Sequence, residues 1–435
     1  MRLRMPVPVL RLLLTLLTLT ALAPLTAQEF ASEAASPPAL SPDSVESAPA
    51  VFLSPPLIPI ADPPSSLGLD SQIWGQDGFV RDWPALMRSV NHSLTYLQSP
   101  KSQADYAKLN DRFHPSGLNP SGLVITHDRV LRSVQRFRQL LLAATSPQAL
   151  QQQVQAEFTF YRATGGDGIQ GNRSGSVHFT GYFEPTYSAS RTPNDRFCYP
   201  LYRRPPDFAT WSEPHPTRLA LEGRDGLQSS QGLLAGLELV WLANRLEAYL
   251  VQVQGSARLS LPDGSVMSVG FDGHTNYPYV SVGKALVTDG HFAATELTLP
   301  KVLQYFADRP EDLNYYLPQN DRFVFFRETS GTPATGSIGV PVTPERSIAT
   351  DKSLMPPGAV VLMVLDLPYV PAARTDVSSG YTLRSVQRYG VDQDTGGAIR
   401  GSGRADIFMG TGTIAGDRAG LVNSQGELYY LLLKD

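Results

Sequence analysis

The 435-residue sequence predicts an α+β fold, mostly β with helices. Three observations carry this. A 3.6-residue apolar period is confined to the first part of the folded chain. From Val177 onward most apolar segments are short and bounded by Gly, Pro, Asp or Asn. The resulting order is helices, strands, short helices, strands, which is not the strand–helix alternation of a parallel α/β sheet.

The N-terminus speaks of location before it speaks of structure. Met1–Arg11 carries Arg2, Arg4 and Arg11 and no acid, Leu12–Leu22 is apolar, and small-residue cleavage patterns follow at Ala21-Leu22-Ala23 and Leu25-Thr26-Ala27. That order predicts a signal peptide over residues 1–27 and export. An apolar run of about 11 to 15 residues is short of the roughly 20 needed to span a bilayer. Uncleaved, the same segment would serve as an anchor. The single cysteine, Cys198, permits no intrachain disulfide, and with no cysteine at the cleavage site a lipid anchor there is excluded. Residues 28–66, rich in Pro, Ala and Ser, predict a disordered linker, with folding from Leu67.

Within the folded part, Asp82 is placed to cap a helix whose Leu86, Val90, Leu94 and Leu97 share a face. A second helix is expected over about 127–145, with Val130, Leu131, Val134, Phe137, Leu140 and Leu141 inward, and "SPQALQQQVQAEFTFYR" extends this helical region. "SVHFTGYFEPTY" alternates and predicts a strand ending at Pro185. In "AYLVQVQGSARLSLPDG" Tyr249, Val251 and Val253 alternate as a strand, Gly255 breaks it, and Pro262-Asp263-Gly264 makes a turn. The stretch from Thr186 to Gly283 therefore predicts a β-domain, a small barrel. Two short helices are expected near Pro300 and Pro310. Strands follow at Arg322–Phe326, "AVVLMVLDLPYV", "SVQRYGVDQD", "ADIFMGTG" and "ELYYLLLK".

Composition narrows the chemistry. With 42% hydrophobic and 17% charged residues and a formal net charge of −4, the chain is a soluble globular protein without a nucleic-acid footprint. Its seven histidines form no H-E-x-x-H pair, so neither a metal nor a cofactor is expected. The tail "GTGTIAGDRAG" fits neither G-x-G-x-x-G nor a P-loop, and G-x-S-x-G is absent. Asp394-Thr395-Gly396 is the tripeptide of an aspartic protease, yet that chemistry needs two carboxylates sharing a proton. Asp263-Gly264, Asp272-Gly273 and Asp289-Gly290 all fall short of a second triplet. What remains is Asp394 and Asp406, either side of a glycine-rich turn. A partly buried carboxyl opening an apolar strand, as Asp406 does, can hold a proton for a leaving oxygen. Either aspartate could equally accept backbone N–H bonds in a turn. Gln252, Gln254, Ser256 and Arg258 alternate as the polar face of a strand. Tyr182, Phe183, Tyr277, Tyr279 and Phe408 are candidates for stacking on sugar or, as strand aromatics, for the core.

The segments "FTGYFEPTY", "VQVQGSARLSLPDGSVMSVGFDGHTNYPYVSVGKALV", "SIATDKSLMPPGAVV" and "DQDTGGAIRGSGRADIFMGTG" together resemble the membrane-bound lytic murein transglycosylase A family, over roughly 177–433 and in the family's order. The resemblance implies a catalytic double-psi β-barrel, the family's three-aspartate domain, from residues 67–185 and 328–435 with the helical segment. A second β-barrel, 186–327, would be inserted, with a glycan groove between the two. It implies a peptidoglycan lytic exotransglycosylase that cleaves the β-1,4 bond between N-acetylmuramic acid and N-acetylglucosamine with 1,6-anhydromuramic acid as product; end-on against internal cleavage stays open. Asp406 would be the single general acid/base and Asp394 would line the same groove. Glu184, Tyr182, Gln254, Gly255, Ser256, Gly396 and Gly397 would bind or approach substrate, with a strand-end charge as the alternative for Glu184. The implied partner is the peptidoglycan glycan strand, met by a monomer in the periplasm; attachment to the outer membrane or wall, and contact with other cell-wall enzymes, stay open. The competing readings are an inactive peptidoglycan-binding protein and, through Asp394-Thr395-Gly396, an aspartic-type protease.

Overall fold

The computed structural model describes residues 55–113, 125–166, 175–369 and 380–434; the signal segment and most of the Pro-rich stretch lie outside them. The chain runs through β1 (Leu57–Ile60), α1 (Trp83–Leu97), α2 (Pro100–Phe113), α3 (His127–Ala143), α4 (Pro147–Glu157), β2 (Phe158–Ala163) and β3 (Val177–Glu184). A second stretch holds β4 (Thr186–Ser190), β5 (Tyr199–Tyr202), α5 (Arg218–Glu222), β6 (Glu238–Leu242), α6 (Arg245–Gln254), β7 (Ser256–Ser260), β8 (Val266–His274), α7 (Val282–Thr288), α8 (Leu299–Asp308), α9 (Leu313–Tyr316) and β9 (Val324–Glu328). The last stretch holds β10 (Ser347–Ala349), β11 (Val360–Tyr369), β12 (Thr382–Asp394), β13 (Arg404–Thr411), α10 (Thr413–Ala419) and β14 (Asn423–Leu433).

The first and last stretches build one sheet that closes on itself. Its order is β14-β11-β12-β10-β13-β3, and β3 pairs back to β14. β10 with β12 and β13 with β3 run parallel and the other neighbours antiparallel, which with the insert gives the α+β double-psi barrel. Its core is filled by Val360, Leu362, Ile348, Val391, Ala405 and Ile407, and α1 and α3 add Leu86, Val90, Val134, Phe137, Leu140 and Leu141 to the same cluster. The second stretch forms a six-stranded sheet ordered β5-β6-β4-β7-β8-β9. Tyr202 of edge strand β5 and Phe325 of edge strand β9 share one buried cluster with Phe323, so the sheet curls on itself. Among the described residues no helix is long and apolar enough to cross a membrane.

Several expectations need correction. Folding starts before Leu67: Leu57–Ile60 pair with β2 as an edge strand, and Leu57 is fully buried. Composition averaged over a Pro-rich stretch hid this short apolar run, and an edge strand tolerates Pro59. "FTFYR" is β2 rather than an extension of the helix. Residues 245–254 are helix α6, not a strand, so Gln252 and Gln254 do not share a strand face with Ser256 and Arg258. Asn244 caps the helix by accepting from Leu246 N, Glu247 occupies its first turn, and Gly255 ends it at φ +80°. Leu246, Tyr249 and Leu250 then pack on α7–α9 while Ala248 and Val251 face the second sheet. Asp82 does stand before α1, but its carboxylate goes to Arg346 instead of the helix N–H groups. The glycine-rich tail contains a short helix, α10, as well as turns.

Candidate active site

The barrel's register assembles the site. Ala349 of β10 is paired with Asp394 on one side and Asp406 on the other, and Asp406 is paired with Thr180 of β3. Directly paired residues point to the same face, so Asp394, Ala349, Asp406 and Thr180 form one row while Ala405 and Ile407 point into the core. Two strand spacings of ~4.8 Å put the two aspartates roughly 10 Å apart at their Cα atoms.

Asp406 keeps 18% of its side chain exposed. Its Oδ1 accepts from the Thr180 hydroxyl and, at 3.4 Å, from Arg404 Nε; Arg404 Nη2 donates to Thr180 Oγ1 at 3.3 Å. Oδ2 has no hydrogen-bond partner among the described residues. The carboxylate is therefore oriented through one oxygen and open at the other.

Asp394 is held differently. Oδ2 accepts from the Tyr182 hydroxyl at 2.8 Å, and Oδ1 accepts from the backbone N–H groups of Ser337 and Thr395, each at 2.8 Å. Burial raises its carboxyl above the ordinary value; these bonds and the charge of Lys352 pull in the opposite direction. The residue reaches solvent in part, but its carboxyl group is enclosed by those donors. Lys352 itself pairs with the fully buried Asp392, which also accepts from Thr350 and Tyr430.

The remaining candidates divide between this face of the barrel and the joint with the insert. Tyr182 lies on the same face, its ring 5.3 Å from that of Phe408, while Phe408 and Phe183 are buried. Glu184 is only 1% exposed and accepts from Arg258 Nε at 2.8 Å and Thr411 Oγ1 at 2.7 Å. Gln254 Oε1 accepts from Phe183 N at 3.0 Å, and Arg258 N donates to Pro185 O at 2.9 Å. Glu184 and Gln254 thus stitch the point where the chain crosses from barrel to insert. Gly255 is the cap of α6, with open space around it, and Ser256 begins β7, its hydroxyl unbonded among the described residues. Gly396 lies against Ile399, and Gly397 against the Arg322 guanidinium.

The insert approaches this side of the barrel where Arg322 lies on Gly397. The charges of Arg404 and Asp406 both act on Tyr279, whose hydroxyl burial pushes up, and those of Arg322 and Arg400 act on His274, which burial pushes down. Among the described residues no group of His, Cys, Asp or Glu is gathered to hold a metal ion. Sequence reading singled out neither Thr180 nor Arg404 as a site residue. Each lies two residues from one it did name, Tyr182 and Asp406, so the strand period alone puts them on the same face.

Residues 178–327 match the MltA specific insert domain and residues 346–432 match the 3D domain. The chain is 30% identical over 259 residues to membrane-bound lytic murein transglycosylase A of Escherichia coli, covering 59% of this chain and 66% of that protein. It is 30% identical over 269 residues to its namesake of Vibrio cholerae, covering 61% and 68%. The chain thus spans about two thirds of the length of the curated relatives it matches. Among solved structures, a membrane-bound lytic murein transglycosylase from Agrobacterium tumefaciens matches with a TM-score of 0.61 at 24% identity, over 84% of this chain and 95% of that one. Escherichia coli MltA with bound chitohexaose matches with a TM-score of 0.61 at 23% identity, over 88% and 96%. These two likenesses establish the fold, and the sequence relatives establish the lineage: the chain belongs to the membrane-bound lytic murein transglycosylase A family.

Proposed function

We propose that this protein is a peptidoglycan lytic transglycosylase, with residues 57–185 and 328–435 as catalytic domain, 186–327 as insert, and glycan strands bound between them. The observation that carries the reading is Asp406: one carboxyl oxygen is fixed by Thr180 and Arg404 and the other is unbonded among the described residues. Every neighbouring carboxylate already has partners. Asp394 holds three donors, Glu184 is buried on Arg258 and Thr411, and Asp351 accepts from Ser353 and Gly401. A hydrolase needs a second carboxylate to activate water or attack the sugar. A protease of the aspartic type needs two acids about 3 Å apart. A single free carboxylate instead suits a reaction in which one group serves twice.

In that reaction Asp406 protonates the oxygen leaving N-acetylmuramic acid. Positive charge develops at the anomeric carbon, and the carboxylate so formed takes the proton of the sugar's own 6-hydroxyl as that oxygen closes the 1,6-anhydro ring. Arg404 and Thr180 keep the oxygen they hold turned away from the bond, so that Oδ2 makes both transfers. The signal segment supports export, and the substrate would be met in the periplasm.

The test is mass spectrometry of products released from purified peptidoglycan by the mature protein, with Asp406→Asn alongside. Products one water lighter than reducing-end muropeptides, lost in the variant by a factor of about 10²–10⁴, are expected. Reducing ends would mean a hydrolase, and binding without release would mean an inactive wall-binding protein.

A further inference from the structure

Several buried arginines of this fold are matched to acids. Arg218 pairs with Glu222, Arg346 with Asp70 and Asp82, and Arg388 with Glu345. Arg322, which is partly buried, and the exposed Arg400 have no such match. The Arg322 guanidinium lies on the bare backbone of Gly397, where a Cβ would stand 3.0 Å from Cζ, and its Nη1 is 3.5 Å from the Tyr277 carbonyl. Neither arginine has an acidic partner among the described residues. Burial and the charge of Arg400 bring Arg322 down to about 10. Arg400 is exposed on the loop joining β12 to β13, and Asp351 fixes that loop by accepting from Gly401 N at 2.9 Å. The nearby acids pair elsewhere: Asp406 through Oδ1 with Arg404 and Thr180, Asp394 with Tyr182, Asp272 with Arg327, and the open Oδ2 of Asp406 meets neither Arg322 nor Arg400. Arg322 lies on Gly397 and Arg400 stands three residues further along the same loop. Two like charges without an acidic partner among the described residues thus meet where the insert touches the barrel, a place suited to an anion from outside.

We propose that Arg322 and Arg400 form an anion subsite of the groove that takes a carboxylate carried on the lactyl or peptide arm of the muramoyl sugar. The inference rests on the glycan-strand reading above and adds to it a charged feature that the sugar backbone lacks. Arg322 supplies a planar donor fork set against Gly397, and Arg400 an exposed one on the same loop.

The test compares binding of three ligands to protein carrying Asp406→Asn, which leaves the strands intact. The ligands are peptide-bearing glycan strands, the same strands stripped of peptide by an amidase so that lactyl carboxylates remain, and chitohexaose, which has no carboxylate. Arg322→Gln and Arg400→Gln should each lower the ratio of affinity for carboxylate-bearing strands to affinity for chitohexaose by about tenfold. Raising salt should lower the same ratio in the parent. A loss confined to peptide-bearing strands assigns the carboxylate to the peptide, a loss confined to stripped strands assigns it to the lactyl arm, and either supports the subsite. A ratio unchanged by both substitutions overturns it and leaves the glycan reading standing, whereas a parent protein that binds none of the three overturns both. Arg400 is exposed, so Arg400→Gln decides the matter even if Arg322→Gln disturbs folding.

Discussion

Removing Arg258 tests whether Glu184 belongs to the joint between the domains or to the substrate. The Glu184 carboxylate is 1% exposed and its counter-charge, Arg258, is 31% exposed at a distance of 2.8 Å. Arg258→Met keeps the apolar stem and leaves a buried carboxylate with only the Thr411 hydroxyl. Breaking a fully buried pair this way costs about 3–5 kcal/mol. Because Arg258 is about a third exposed, water can replace part of what it supplies, which lowers the expectation to ~2–3 kcal/mol. Glu184→Gln keeps an oxygen for Arg258 and Thr411 and should cost about 1 kcal/mol. The double variant removes both charges, and should be more stable than Arg258→Met alone. Urea unfolding, followed by both tryptophan fluorescence and circular dichroism, reads these differences. If Arg258→Met lies within 0.5 kcal/mol of the parent, or the double variant loses the sum of the single losses, the latch account is wrong. Were Glu184 a glycan contact instead, Glu184→Gln would raise KM and leave stability untouched.

Asp394→Asn should lower kcat by about tenfold, far less than Asp406→Asn, because an amide can still accept from Ser337 and Thr395; equal losses in steady-state assays would remove the distinction. The same variant carries a pH signature. A folded-state carboxyl raised above its ordinary 3.8 contributes stability that is complete below the unfolded value and is lost as pH rises through the folded one. The thermal midpoint of Asp394→Asn should therefore gain on the parent as pH climbs from about 4, and a constant gap would contradict it. Tyr182→Phe withdraws the donor at Asp394 Oδ2 and should cost about 1 kcal/mol, an effect that should shrink in the Asp394→Asn background when the two are combined in a double-mutant cycle. Gly397→Ala should change stability by less than ~1 kcal/mol, since the far end of a flexible arginine can yield, yet it should weaken binding of peptide-bearing strands in the same titrations.

How much of this was legible in the sequence depended on the range of the physics involved. Alternation in "SVHFTGYFE" and the apolar runs of β11 to β14 marked the barrel strands because each pattern is local and its core face is buried. "RLEAYLVQVQ" misled because its apolar residues satisfy a period of two over five positions and a period near 3.6 over ten. Asn244 with Glu247 three residues later was the cap signal that separates the cases. The aspartates were visible as a pair with a glycine-rich turn between them. What each aspartate does was not, because the deciding partners lie far along the chain: Thr180 is 226 residues from Asp406, and Tyr182 is 212 from Asp394. Glu184 makes the same point from the other side. A carboxylate at the end of a site-bearing strand reads equally as a ligand contact or a strand-end charge, and the partner that bears on the choice, Arg258, lies 74 residues on in the insert. A charged residue's role is fixed by whether its counter-charge is already supplied by the fold. Asp406 has its counter-charge on one oxygen and leaves the other unbonded, and Arg322 and Arg400 have no acidic partner, among the described residues, so the fold leaves these groups open to a substrate.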